Sequence, residues 1–138
     1  MDGYRAPLRV DLAGGWTDLA PYTHDLGGEV VNFTIDKWVT ATPDVDGDID
    51  FQFDVPAGSG LGTSGALNVA KIAALGVDDV SDLDAIAELA FEAETNEGNR
   101  CGRQDQWASA HGGFNRILFI GDGAVSYTHL TLPTIYSV

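Results

Sequence analysis

The chain has 138 residues, 44% of them hydrophobic, and carries 21 acidic against 7 basic side chains for a net charge of −14. That length supports one modest domain with a real core, and the acidic balance repels nucleic acid and anionic lipid, so neither is an expected partner. No apolar run is long enough to span a bilayer and the N-terminus lacks the regions of a signal peptide; a single cysteine, Cys101, favours a reducing compartment, with cytoplasm as the expectation.

Residues 4–15, YRAPLRVDLAGG, alternate Leu8, Val10 and Leu12 against Arg9 and Asp11, the period of a strand, and stop at Gly14-Gly15. Residues 28–42 are β-branched and aromatic, which predicts one or two further strands. DVDGDID (44–50) reads as a solvated acidic turn. It carries Asp44, Asp46, Asp48 and Asp50, but Val55 stands where a calcium loop needs its closing acid. FQFDV makes a short strand up to Pro56. After a glycine-rich stretch, ALNVAKIAAL is a helix stopped by Gly76, and Ser81 with Asp84 forms a capping box for a second helix from about Asp82 to Thr95. RQDQWASAH is a short helix ended by Gly112-Gly113, FNRILFI an apolar strand, and AVSY its hairpin partner across GDG.

The stretch PAGSGLGTSGAL (56–67) holds four glycines in eight positions ahead of a helix. It lacks the Gly-Lys-Ser/Thr ending of a Walker loop. Gly60, Gly62 and Gly65 do match the GxGxxG pattern of a dinucleotide-binding turn, with Asp78, Asp79 or Asp82 as the downstream acid, although Pro56 to Ser59 intervene after the strand. On either reading, bare N–H groups at the positive end of a helix suit a phosphate.

Two carboxylates stand out beside this loop. Leu83, Ile86, Ala87 and Ala90 form the apolar stripe of the second helix, and Glu94 continues it at the next i+4 step. A carboxylate there is either paired or metal-bound, or the helix frays and solvates it. Asp105 follows near the start of a helix, where it suits the helix dipole as well as catalysis. His24 and His111 lack metal-ligand spacing and read as surface or helix-end groups, and Trp107 reads as core. Arg100 and Arg103 flank Cys101 and would lower its pKa, but no partner marks it as a nucleophile.

APLRVDLAGGWTD (6–18), PAGSGLGTSGA (56–66) and GRQDQWASAHGGFN (102–115) together resemble the GHMP small-molecule kinases, most closely the branch of heptose-phosphate kinases and fucokinases. TIDKW (34–38) is similar to a stretch of the heptose kinases. The resemblance implies that Gly58, Ser59, Gly60, Leu61, Gly62, Thr63 and Ser64 wrap the phosphates of ATP. It implies that Ser64 and Glu94 hold Mg²⁺, that Asp105 is the catalytic carboxylate with Arg9 beside it, and that Trp16, Thr17 and Asp18 face the sugar. The implied reaction is transfer of the γ-phosphoryl group to a hydroxyl, the anomeric one in this branch, of heptose 7-phosphate or an L-fucose-like sugar.

The expected fold is α+β, a mixed sheet backed on one side by helices, and the resemblance adds a left-handed βαβ connection. Residues 1–125 would form the N-terminal domain of such a kinase, shortened between residues 38 and 56 and lacking the family's C-terminal half. SYTHLTLPTIYSV (126–138) matches nothing in the family and resembles translated adapter sequence. Two other classes stay open, a dinucleotide-binding module and a non-catalytic fragment whose exposed core drives self-association.

Overall fold

The computed structural model describes residues 3–121 and 124–131. The elements in chain order are β1 (Tyr4–Ala13), α1 (Tyr22–Leu26), β2 (Gly28–Pro43), β3 (Ile49–Phe53), α2 (Thr63–Ala74), α3 (Leu83–Asn96), α4 (Gln104–His111), β4 (Phe114–Ile120) and β5 (Ala124–His129). Residues 28–43 form a single strand of 16 residues, and the sheet is organised around it. One edge of β2 takes β1 along residues 31–41. The other edge takes β4 against Gly28 to Phe33 and β3 against Val39 to Pro43, so these two strands lie end to end. β5 closes the far side as the hairpin partner of β4.

Every pairing among the described residues is antiparallel, which corrects the expected mixed sheet. A dinucleotide-binding module built on Gly60, Gly62 and Gly65 needs neighbouring parallel strands, so that alternative falls with the topology. β3 and β4 share a direction because both oppose β2, and α2, α3 and α4 connect them. β5 runs past residue 125 to His129, so the boundary drawn there falls inside a strand. Residues 132–138 lie outside the described residues.

The core lies between sheet and helices in two clusters. Ala6, Leu8, Val39 and Ala41 pack on Ala66, Val69, Ala70, Ile86 and Ala90, while Val30, Ile117 and Phe119 pack on Ala87 and Trp107. Alanine predominates on the helix side, which lets helix backbones approach the sheet closely. The alternation expected for β1 breaks at a register shift between Pro7 and Arg9. Leu8 is buried against α2, yet Arg9 and Asp11 also reach partners on the helix layer, and Leu12 turns out to solvent. An irregularity of this kind re-aims the side chains that follow it.

The capping box fails by one position. Asp82 is the N-cap of α3 and accepts from Ala85 N at 3.0 Å, whereas Ser81 Oγ donates to Asp79 Oδ1 at 2.6 Å. The acidic turn is as expected. Asp44 Oδ1 accepts from the backbone N–H groups of Asp46 and Asp48, and Gly47 takes a left-handed conformation with φ 89°. Among the described residues no helix is long and apolar enough to cross a membrane. Asp82→Ala is expected to destabilise the chain by about 1 kcal/mol in chemical denaturation, with Ser81→Ala costing clearly less, because only Asp82 satisfies an orphan N–H of the helix.

Candidate active site

Of the residues singled out by the sequence, Arg9, Trp16, Asp18, Gly60, Ser64, Glu94 and Asp105 line one cleft of about 440 Å³, whereas Gly58, Ser59, Leu61, Gly62, Thr63 and Thr17 do not. Arg9 comes from β1, Gly60 and Ser64 from the glycine loop and first turn of α2, Glu94 from the last turn of α3, and Asp105 from the first turn of α4. The Arg9 guanidinium donates to Asp105 Oδ1 through Nε at 2.8 Å and lies 2.7 Å away through Nη2, while Nη1 donates to Gly60 O at 3.1 Å. One arginine therefore holds both the carboxylate of α4 and the backbone of the loop.

The loop reaches α2 through Gly62, whose left-handed φ of 72° starts the helix without a side-chain cap. Its first-turn N–H groups have no partner within the helix and remain available to an anion. Gly58 and Gly60 also have positive φ, and a Cβ added at either would meet nothing within 4 Å, so the loop is open on the side where a ligand would lie. Leu61 differs from its neighbours: its carbonyl accepts from Arg9 N at 2.9 Å, and its side chain packs on the first core cluster. Thr63 Oγ1 is buried without a partner.

Glu94 is 5% exposed, so the stripe on α3 carries a buried carboxylate rather than a frayed end. Both of its oxygens are engaged. Ser64 Oγ donates to Oε1 at 2.6 Å and Gln106 Nε2 to Oε2 at 2.5 Å. Ser64 and Glu94 present hard oxygen donors of the kind magnesium takes, and that ion needs only one or two protein ligands when phosphate oxygens and water supply the rest. Among the described residues no cluster of three or more His, Cys, Asp or Glu side chains is placed to hold a metal. The pair thus fits magnesium held jointly with a ligand's phosphates and does not fit an all-protein metal cage.

The segment expected to face the sugar divides. Trp16 is 78% exposed at the mouth of the cleft with a positive φ of 75°, which is unfavourable for a bulky residue and is held here by the turn around it. Asp18 is nearly buried in the wall. Its Oδ2 accepts from Gln104 N at 3.2 Å, and Gly102 packs so close to it that a Cβ there would lie 2.0 Å from that oxygen. Burial pushes the Asp18 carboxyl above the usual range, opposed by its backbone hydrogen bonds and reinforced by Asp105 and Asp11. Thr17 does not line the cleft. Its Oγ1 donates to Gly14 O at 2.7 Å and accepts from Glu29 N at 3.1 Å, fastening the turn to the start of β2.

Asp11, Leu19, Arg100, Cys101 and Gln104 also line the cleft, a role that sequence reasoning missed for all five. Gln104 belongs to the 102–105 motif and Asp11 to the strand, but only the register shift in β1 turns Asp11 inward. The Cys101 thiol is pushed up, not down, by burial first and by Glu94 second. The flanking arginines are committed elsewhere. Arg103 pairs with Glu88 at 2.7 Å and stacks on Phe91, and Arg100 donates to Ala20 O. Trp107 is core, as expected, and stacks on His111 at the end of α4.

Comparison with known proteins bears on this geometry. Residues 28–113 match the family model described as GHMP kinases N terminal domain. The chain is 30% identical to D-glycero-alpha-D-manno-heptose 7-phosphate kinase of Campylobacter jejuni over 174 aligned positions, taking in 88% of this chain and 51% of that protein. That alignment is longer than the 138 residues available, so the relative carries segments with no counterpart here. A stretch of 32 residues, 23% of the chain and 3% of the relative, is 56% identical to L-fucokinase/L-fucose-1-P guanylyltransferase of Bacteroides fragilis. The fold matches a crystal structure of a D-glycero-D-manno-heptose 1-phosphate kinase from Bacteroides thetaiotaomicron with a TM-score of 0.78 at 24% identity, covering 95% of this chain and 60% of that one. The chain therefore spans about half the length of the full-length heptose kinase it matches.

Two outcomes test the packing of the site. A Cβ at Gly65 would lie 2.6 Å from the Asp105 Cβ, so Gly65→Ala is expected to cost about 1–3 kcal/mol in denaturation. Asp18 has a raised pKa when folded, so it binds its proton more tightly in the folded state and contributes a penalty that grows as pH rises from 3.8 through the raised value. Thermal unfolding of wild type and Asp18→Asn is expected to show the variant gaining relative stability across that window and a constant difference above it.

Proposed function

The chain belongs to the GHMP kinases, and from that membership we propose that it supplies the phosphate-binding and catalytic half of an ATP- and magnesium-dependent sugar kinase. The observation that carries this reading is the arrangement across one cleft. Asp105, held by Arg9, lines the same cleft as the hydrogen-bonded Ser64–Glu94 pair and Gly60 of the glycine loop. The amides of residues 58–64 and the positive end of α2 bind the triphosphate of ATP. Magnesium bound at Ser64 and Glu94 would offset the phosphate charge that builds up during transfer.

Phosphoryl transfer needs positioning and charge neutralisation more than covalent help, which suits a cleft without a lysine. The acceptor hydroxyl lies against Asp105, whose carboxylate takes its proton as the oxygen bonds to the γ-phosphorus. The bond from that phosphorus to the β–γ bridging oxygen breaks and ADP leaves. Asp18 and Trp16 border the acceptor. Heptose phosphates and fucose are the acceptor classes suggested by the relatives' names, with the anomeric hydroxyl as the reacting group and TIDKW favouring the heptose side.

Calorimetric titration of the chain with Mg-ATP is expected to show binding that is weakened by omitting magnesium and by Ser64→Ala. In the full-length enzyme, Asp105→Asn is expected to lower kcat by about 10²–10⁴-fold with ATP binding retained. No binding of Mg-ATP by the folded chain, or full activity in Asp105→Asn, would overturn the reading.

A further inference from the structure

Gln106 is 1% exposed, on a helix whose neighbouring side chains enter the core. A buried amide is costly unless its polar atoms are paired, and this one is paired at one end only. Nε2 donates to Glu94 Oε2 at 2.5 Å, whereas Oε1 has no partner. Leucine or methionine would fill the same space without leaving an orphaned acceptor. As a packing residue, then, Gln106 is poorly chosen, and its one strong contact is with the carboxylate that also takes Ser64.

We propose that Gln106 is a positioning residue for Glu94: by holding Oε2 from the α4 side it keeps Oε1 turned to Ser64 and to the magnesium site. The inference rests on the kinase reading above. Two features of the fold give it force. Glu94 sits in the last turn of α3, where helix ends are least constrained, so its side chain needs an anchor from another element. The anchor adjoins Asp105 in sequence: residue 105 meets Arg9 and residue 106 meets Glu94. One turn of α4 thus sets the distance between the proton-accepting group and the metal end of the cleft. Partners that orient a metal ligand in this way cost about 10–100-fold in metal affinity when removed.

The test is titration calorimetry of the full chain with ATP alone and with ATP plus Mg²⁺, in wild type, Gln106→Met and Gln106→Leu, with thermal unfolding as the control for folding. The gain in ATP affinity conferred by magnesium is expected to fall about tenfold or more in both variants. Affinity for ATP without magnesium should not change. Should both variants unfold, Gln106→Asn keeps the amide but falls one methylene short of Glu94, and the same loss is expected. A purely structural role predicts the reverse, a shifted unfolding midpoint with the magnesium gain retained, and that result overturns the proposal alone. Equal weakening with and without magnesium overturns it too. A wild-type chain that binds no ATP, or gains nothing from magnesium, overturns the kinase reading along with it.

Discussion

A carboxylate on the buried face of a helix has to be answered, and much of this structure is arranged as the answer to Glu94. Its stripe on α3 brings it inward with Ile86, Ala87 and Ala90, and without partners it would oppose the burial that those residues drive. The partners come from both neighbouring helices, Ser64 from the first turn of α2 and Gln106 from α4. Satisfying one charge therefore fixes three helices against each other. The end of α2 that is fixed is also the end where the glycine loop presents its amides.

Close approach makes that arrangement possible. Gly65 lets α2 touch the backbone of α4 beside Asp105, and Gly102 lets the chain pass over Asp18. The few cations are used sparingly. Arg9 ties Asp105 to the loop, Arg103 covers Phe91 while pairing with Glu88, Arg116 pairs with Glu29 on the sheet, and Arg5 lies over Trp38. In a chain of net charge −14, a basic side chain that engages both a carboxylate and a carbonyl does more than neutralise. It sets the geometry of an acid-rich cleft that would otherwise repel itself.

Much of this was legible in the sequence. The strands, helices α2, α3 and α4 and the order of the motifs follow from period and punctuation, and Arg9, Ser64, Glu94 and Asp105 do share one cleft. What was not legible has physical causes. The register shift in β1 reverses the inside and outside of Asp11 and Leu12, and no alternation of residue types records it. The motif's position sets Thr17 on the sugar, but its hydroxyl is consumed by the turn. The cap of α3 moved from Ser81 to Asp82 because Asp79 captures the serine. The short α1 offers too few turns to leave a periodic signal, and the thiol of Cys101 answers to burial and Glu94 rather than to the arginines beside it in sequence.

The shared edge of β2 bears on how the molecule assembles. β1 with β2, β2 with β3 and β4 with β5 are neighbours in the chain, but β4 reaches the edge of β2 that it shares with β3 only after α2, α3 and α4. Arg9 and Asp105 are 96 residues apart, and their contact closes the largest loop on which the cleft depends. Contacts of such sequence separation are rewarded only after a large loop-closure entropy has been met. Lifting β1 from the helices would separate Arg9 from Asp105 and would also strip Ala6 and Leu8 from the first core cluster. The geometry of the cleft is thus tied to the core beneath it, and the one does not change without the other.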